Sequence, residues 1–304
     1  MKAFITGGSG FIGTFVAQKL SRNNVEVTIF DKRSPSPESL SLCKYIQGDL
    51  LDLEKIKEAI SGHDVVYHLA ANADISMGVK DTALDLQLTT IATYNVLESM
   101  RLGGVSSIVF LSGSGVYGDI GEFQGVETAG PLLPISLYGA SKLAAEGLIS
   151  AFSNMFNMQA VILRPANVVG GGQTHGVLFD FIQKLKRDCH HLEILGDGNQ
   201  TKSYLHIDDL YQAIATVLKT KQERVSLVNV ASADTVNVNW IAKKVIEFLN
   251  LRDVQITHTH GKVGWIGDVP TIRLNTEKLR ELGWTPKYSS EEAIDKALAE
   301  ILTA

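Results

Sequence analysis

The sequence predicts an α/β protein: a doubly wound parallel sheet followed by a smaller C-terminal lobe. Two observations predict it. Short, nearly continuous apolar runs alternate with longer stretches of helical period, the pattern of strands covered on both faces and the helices that connect them. A glycine-rich turn, Thr6 to Gly13, separates the first apolar run from the first helical stretch.

The elements follow in order. Residues 3–5 read as a buried strand and 11–22 as a helix. Strands at 25–30, 45–47 and 65–69 come next, with a helix over 53–60 before the last of them. A long helix is expected over 82–101, a strand at 108–111, a helix over 138–156 and a strand at 160–163. The rhythm then loosens. Gly170 to Gly172 and Gly196 to Asn199 read as turns. Helices are expected over 208–219 and 238–249, with a strand at 227–230 between them. Ser289 and Glu292 have the spacing of a capping box that opens a final helix. The expected layout is a nucleotide-binding unit over 1–165, to which about 205–232 return. A substrate-binding lobe is expected from 166–204 and 233–304.

Composition narrows the function. The chain has 304 residues, enough for a large core. Hydrophobic residues at 45% and charged residues at 20% exclude a disordered chain. Lys and Arg number 28 against 33 Asp and Glu, a net charge of -5. No broad basic field is present, so nucleic acid is not the expected partner. Cys43 and Cys189 are the two cysteines. They supply no disulfide framework and no Cys-x-x-Cys metal motif, so no metal is expected. His258-x-His260 lacks an evident third ligand, and His190-His191 reads as loop surface. No apolar run approaches the ~18 residues of a membrane span. The start of the chain does not resemble a signal peptide. A soluble cytoplasmic protein is expected.

The turn Thr6-Gly7-Gly8-Ser9-Gly10-Phe11-Ile12-Gly13 satisfies G-x-G-x-x-G from Gly8 and G-x-x-G-x-x-G from Gly7. Glycines let a backbone come close to a pyrophosphate at a helix N-terminus. Gly7, Gly10, Phe11, Ile12 and Gly13 are therefore candidate cofactor contacts. Asp31 ends the second strand at the expected distance, where a carboxylate accepts from a ribose diol and repels a 2′-phosphate. This favours NAD. Lys32 and Arg33 follow directly and leave NADP open.

Tyr138 and Lys142 lie four residues apart at the start of a helix. They share a face. An ammonium there is expected to lower the tyrosine pKa and make the phenolate a usable base for a sugar hydroxyl.

With these motifs on the page, the sequence resembles the extended short-chain dehydrogenases/reductases, specifically the NAD-dependent sugar epimerase/dehydratase family. The resemblance spans essentially the whole chain. Besides the glycine turn and the Tyr/Lys pair, it rests on Gly48-Asp49-Leu50, His68-Leu69-Ala70-Ala71, Val116-Tyr117-Gly118 and Arg164-Pro165-Ala166-Asn167. Gly196-Asp197-Gly198 through Tyr204 and Gly267-Asp268 extend it into the C-terminal lobe. The resemblance implies a Rossmann-type fold, NAD as cofactor and a nucleotide sugar as substrate. It implies that Asp49 and Leu50 contact adenine, and that Leu69, Ala70, Ala71 and Pro165 line the cofactor. Lys32 and Ser112 join the implied cofactor contacts, and Lys142 would also hold the nicotinamide ribose. Asn167, Val177, Lys202, Tyr204 and Asp268 are the implied substrate contacts. His68 reads as a structural residue at a strand end.

The sequence departs from the family in places. The family's Ser or Thr, three residues before the valine of Val-Tyr-Gly, is Gly113 here, flanked by Ser112 and Ser114. On a strand these two serines would share a face. Either is a candidate for the missing proton relay, with Ser114 preferred. Lys202 replaces a usual arginine and loses bidentate phosphate binding. Trp265 stands at a second arginine position, with Arg273 as a possible substitute.

The implied reaction is 4-epimerisation of a UDP-hexose (glucose/galactose) through a 4-keto sugar. Tyr138 would be the base, and Lys142 with Ser114 or Ser112 would assist. The alternatives are another epimerase, dehydratase or decarboxylase of the family, or a non-catalytic dinucleotide sensor. Gly113-Ser114-Gly115 has none of the carboxylates that dehydratases and decarboxylases place there. The family also implies a homodimer, built on helices 82–101 and 138–156. Leu84, Leu88, Ile91 and Leu97 give the first of these an apolar spacing.

Overall fold

The computed structural model describes residues 1–72, 74–220, 223–259 and 261–303. Its central sheet has seven parallel strands: β1 (Lys2–Thr6), β2 (Glu26–Asp31), β3 (Lys44–Gln47), β4 (Val65–His68), β5 (Ser107–Leu111), β6 (Gln159–Pro165) and β7 (Val225–Val230). They lie in the order β7-β6-β5-β4-β1-β2-β3. The winding reverses between β1 and β4. A crevice therefore opens at their C-terminal ends, where such sheets take ligands.

The strand alternation explains the two layers of helices. Ala3 and Ile5 of β1 point into one apolar core with Val27, Ile29, Val109 and Val161. Phe4 points into the other with Phe30, Val66, Ile108 and Phe110. The Phe11–Arg22 and Ile207–Lys219 helices cover the first face. Leu53–Ile60, Ala92–Gly103 and Leu137–Phe156 cover the second.

The helices at Phe11–Arg22 and Leu53–Ile60 have the expected bounds. The stretch read as one helix over 82–101 differs. A π-helical turn, Leu86–Ile91, runs into an α-helix, Ala92–Gly103. The β-branched run Thr89-Thr90-Ile91 lies in this widened turn, and Thr90 Oγ1 donates to the Ser141 carbonyl at 3.3 Å.

The C-terminal lobe packs the Val177–Arg187, Val238–Phe248 and Ser290–Thr303 helices around a third core. Its strands are short. Asn167–Val169 pairs with Tyr204–His206, and His191–Ile194 with Gln255–His258. A four-stranded sheet joins Val236–Asn237, Thr201–Lys202, Thr271–Leu274 and Gln124–Gly125. The capping box forms in both directions: Ser289 N donates to Glu292 Oε2 at 2.8 Å, and Glu292 N to Ser289 Oγ at 3.2 Å. His191 opens a strand and is not loop, because its segment pairs with Gln255–His258. His258 lies 2.8 Å from Asn239 Oδ1, and His260 lies outside the described residues. No described helix is long and apolar enough to cross a membrane.

Candidate functional site

The glycine turn is fixed by close approach. Gly7 has φ +70°, and a Cβ there would lie 2.7 Å from the Ala70 backbone. A Cβ on Gly13 would lie 2.1 Å from the Gly7 carbonyl oxygen. Gly10 is different. The nearest atom to its Cβ position is Gly7 O at 3.3 Å, a tight approach but not a clash. Gly10 is also the N-cap of the Phe11–Arg22 helix, with no side-chain cap and no acidic residue in the first turn. The first-turn N–H groups, Phe11, Ile12 and Gly13 among them, are left for an anion. This cradle fits a pyrophosphate.

Asp31 is held beside the turn. Its carboxylate accepts from Ser9 N and Arg33 N, each at 3.0 Å. Lys32 Nζ lies 2.9 Å from Asp49 Oδ2, so its charge is balanced within the protein. Leu50, half-buried, offers its carbonyl to Asn95 Nδ2 at 2.8 Å. Leu69 N and Ala70 N reach Thr6 O and Thr6 Oγ1 at 3.3 and 3.4 Å. The turn, the end of β2 and the segment after β4, which includes Ala71, thus line one edge of the crevice. His68 is fully buried between Thr6 Oγ1 at 2.7 Å and Thr93 Oγ1 at 2.9 Å. Burial, with Lys142 nearby, pushes its pKa down to about 3.

Tyr138 and Lys142 occupy the first turns of the Leu137–Phe156 helix, where Ser136 Oγ caps Gly139 N at 3.1 Å. Lys142 is 3% exposed and donates to the Leu111 carbonyl at 2.6 Å. Its Nζ stands 5.7 Å from the Tyr138 ring centroid. Burial lowers Lys142 to about 7 against the opposing pull of Glu146 and Asp85. Burial, and then the Asp85 charge, pushes Tyr138 up to about 12. The expectation that Lys142 lowers the tyrosine pKa is therefore corrected. The ammonium is spent on a carbonyl, and desolvation outweighs it.

The serines part company. Ser112 is 3% exposed, and its Oγ donates to Glu146 Oε1 at 2.5 Å. Glu146 in turn receives Arg164 Nε at 2.9 Å and Nη2 at 2.6 Å. This points Ser112 at the buried Glu146–Arg164 ion pair and corrects its candidacy as relay. Ser114 is half-buried and starts a short 3₁₀ turn, Ser114–Tyr117. No hydrogen bond engages its hydroxyl among the described residues. Gly113 is extended, with φ 179°. A Cβ there would lie 3.6 Å from Tyr138 Oη, and one on Gly115 would lie 3.8 Å from Tyr138 Cδ1. The position that faces the tyrosine is thus Gly113 itself.

The C-terminal lobe brings some predicted substrate residues together. Lys202 and Asp268 form a 2.5 Å ion pair, with Lys202 Nζ 5.1 Å from the Trp265 ring centroid. Trp265 Nε1 is buried and has no hydrogen-bond partner among the described residues. Asn167 opens its strand opposite Tyr204, two residues after Pro165 ends β6. Val177 begins a helix whose N-cap, Gly176, provides no side-chain cap. The Tyr204 ring does not line an open cleft. It lies in the lobe's apolar core, because its strand is packed under the Ser290–Thr303 helix. Arg273 is exposed on the Thr271–Leu274 strand.

Two carboxylates near the pair escaped the sequence reading. Glu146 stands one turn beyond Lys142, a spacing that marks it. Asp85 carries no local signature. His206, Asp208 and Glu300 also converge, but Lys296 pairs with Glu300 at 2.5 Å and Asp208 at 3.6 Å. A lysine thus supplies the positive charge there.

Comparison with known proteins shows the family. The chain is 30% identical to a putative UDP-glucose 4-epimerase of Methanocaldococcus jannaschii, over 97% of its own length and 96% of the relative's. It is 26% identical to a dTDP-D-glucose 4,6-dehydratase of Mus musculus, over 98% and 87%. A crystal structure of a UDP-galactose 4-epimerase superposes with a TM-score of 0.90 at 34% identity, covering 100% of this chain and 99% of that one. Residues 3–231 match one family description throughout, and the chain accordingly belongs to the NAD dependent epimerase/dehydratase family.

Proposed function

We propose that the protein interconverts UDP-glucose and UDP-galactose by 4-epimerisation through a 4-keto sugar. One observation carries this reading within the family. Gly113 and Gly115 both lie against Tyr138, so neither of these positions supplies a carboxylate for elimination or decarboxylation. A single acid–base residue suffices when one hydroxyl proton is removed and later returned.

NAD, when bound, would supply the hydride acceptor and donor for C4 of the sugar. The residues that would hold it are the Gly7–Gly13 turn at the pyrophosphate, Asp31 at the adenosine ribose, Asp49 and Leu50 near adenine, and Leu69 to Ala71 and Pro165 along the crevice. Tyr138 removes the proton of the 4-hydroxyl and returns it after the sugar has turned over. Lys142 steadies the tyrosine's charge and holds the ribose beside it. Ser114 carries the relay role. Asn167 holds the substrate diphosphate, and Val177, Lys202 and Asp268 contact the nucleotide sugar.

The proposal includes a cytoplasmic homodimer. Cys43 and Cys189 are free thiols. Leu97 is buried in the core, so it leaves the notional dimer face. Exposed Leu86, Ile91, Tyr94, Met155 and Phe156 supply that face, with Tyr94 edge-on to Phe152 and Phe156 tilted against it. Light scattering at micromolar concentration should report a dimer; a monomer rejects this part.

The reaction is tested by incubating purified protein with UDP-glucose and following the product by NMR. UDP-galactose should form with no net NADH. Stoichiometric NADH would make the protein a dehydrogenase, and loss of water would make it a dehydratase. Tyr138→Phe should remove nearly all turnover and keep NAD binding.

A further inference from the structure

Glu146 is a buried carboxylate that the proposed reaction does not use. It takes three hydrogen bonds. Ser112 Oγ donates to Oε1 at 2.5 Å, and Arg164 donates from Nε to Oε1 at 2.9 Å and from Nη2 to Oε2 at 2.6 Å. Arg164 lies on β6 and is itself anchored. Its guanidinium stands 4.8 Å from the Tyr117 ring centroid, and the Tyr117 hydroxyl donates to Asn229 Oδ1 at 2.8 Å. A bidentate fork of this kind fixes an angle as well as a distance.

The Leu137–Phe156 helix grips the end of β5 twice. Lys142 Nζ donates to the Leu111 carbonyl at 2.6 Å, and one turn further on Glu146 takes the Ser112 hydroxyl. Ser112 N in turn donates to the carbonyl of Leu163, beside Arg164, at 2.8 Å. The chain then runs directly into Gly113, whose Cβ position is 3.6 Å from Tyr138 Oη. At the start of the helix, no Cβ would fit between Gly139 and the Gly115 carbonyl. Successive turns of one helix thus bear on the 111–115 segment. Stability does not call for an ion pair at this place, since matched apolar side chains would serve a core as well or better.

We infer that Glu146, anchored by Arg164, is a positioning residue that holds the end of β5 against the Leu137–Phe156 helix and so sets where the Tyr138 hydroxyl stands relative to Gly113 and Ser114. It acts through Ser112 and not on cofactor or substrate. This rests on the proposed role of Tyr138. Its test reads the tyrosine without turnover, so the two can fail separately.

The test is carbon NMR of protein labelled at the ζ-carbon of its eight tyrosines, with the Tyr138 line assigned by its loss in Tyr138→Phe. The variant is Glu146→Met with Arg164→Met, which removes both charges together and leaves the net charge unchanged. Glu146 is about 12 Å from Tyr138 along the helix, so the line should move only if the phenol moves. In the folded double variant it should shift or split, while the lines of Tyr45 and Tyr211, packed on the other face of the sheet, stay in place. With UDP-glucose, kcat should fall roughly 10–100-fold and KM should change little. A double variant that is folded by circular dichroism and keeps the wild-type Tyr138 line overturns the inference. Movement of the Tyr45 and Tyr211 lines as well also overturns it, since that marks a general rearrangement. A wild type inactive on UDP-glucose would refute the proposed function and leave the tyrosine line to decide this inference. Should the double variant not fold, Ser112→Ala, which cuts only the tie to the strand end, carries the same expectation and the same overturning result.

Discussion

Ser112 Oγ sits 2.5 Å from Glu146 Oε1, and so the last side chain after β5 faces inward to an ion pair and not outward to a ligand. Removing it leaves a buried charged oxygen one donor short. Ser112→Ala should cost about 1–3 kcal/mol of stability in urea denaturation. Ser114→Ala should leave stability within error and lower turnover by roughly 10–1000-fold. Equal turnover losses in the two variants, with equal stabilities, would refute this division of labour.

Gly113→Ser should be tolerated and should match or exceed the wild-type rate. The backbone is extended there, so any residue can adopt it. The new Cβ meets Tyr138 Oη at an ordinary 3.6 Å, and the added hydroxyl lies beside the phenol. Loss of activity with the fold intact would show that the substrate needs the space that glycine leaves.

His68 sets an acid limit on the fold. Its unfolded pKa is 6.5 and its folded value about 3. Between those values the unfolded chain takes up a proton that the buried ring refuses. Stability is therefore full above pH 6.5 and falls as pH drops toward 3. His68→Gln should be less stable at neutral pH yet lose less on acidification. Parallel acid slopes in urea denaturation of the two proteins would contradict this.

Asp31→Ala should weaken NAD binding and narrow the gap to NADP, as measured by calorimetry with each dinucleotide. It removes the acceptor proposed for the ribose diol and also frees Ser9 N and Arg33 N. An unchanged preference would place Asp31 away from the cofactor.

Local pattern explains what the sequence disclosed. The 11–22 and 53–60 helices and the apolar strands of the sheet follow from periodicity, and the glycine turn from its spacing. The Val177–Arg187 helix was missed, although Leu178, Phe181, Ile182 and Leu185 repeat at helical spacing and are all buried. Two-residue strands such as Thr201–Lys202 were not legible, because only distant partners define them. Ser112 and Ser114 misled for a related reason. Strand alternation was assumed to run through Gly113, but β5 ends at Leu111 and a 3₁₀ turn begins at Ser114. Tyr138 and Lys142 are correctly paired on one face, yet spacing says nothing of Leu111 O, which takes the ammonium, or of burial, which sets both pKa values.

The return of β7 to the sheet has a consequence for biosynthesis. β6 ends at Pro165, and its outer neighbour does not begin until Val225. While a ribosome makes the intervening chain, Ala160 to Leu163 present a bare, apolar, hydrogen-bonding edge. The nucleotide-binding half is thus hostage to a segment translated sixty residues later. A fragment stopped at Pro165 would keep that edge open to any other strand it met.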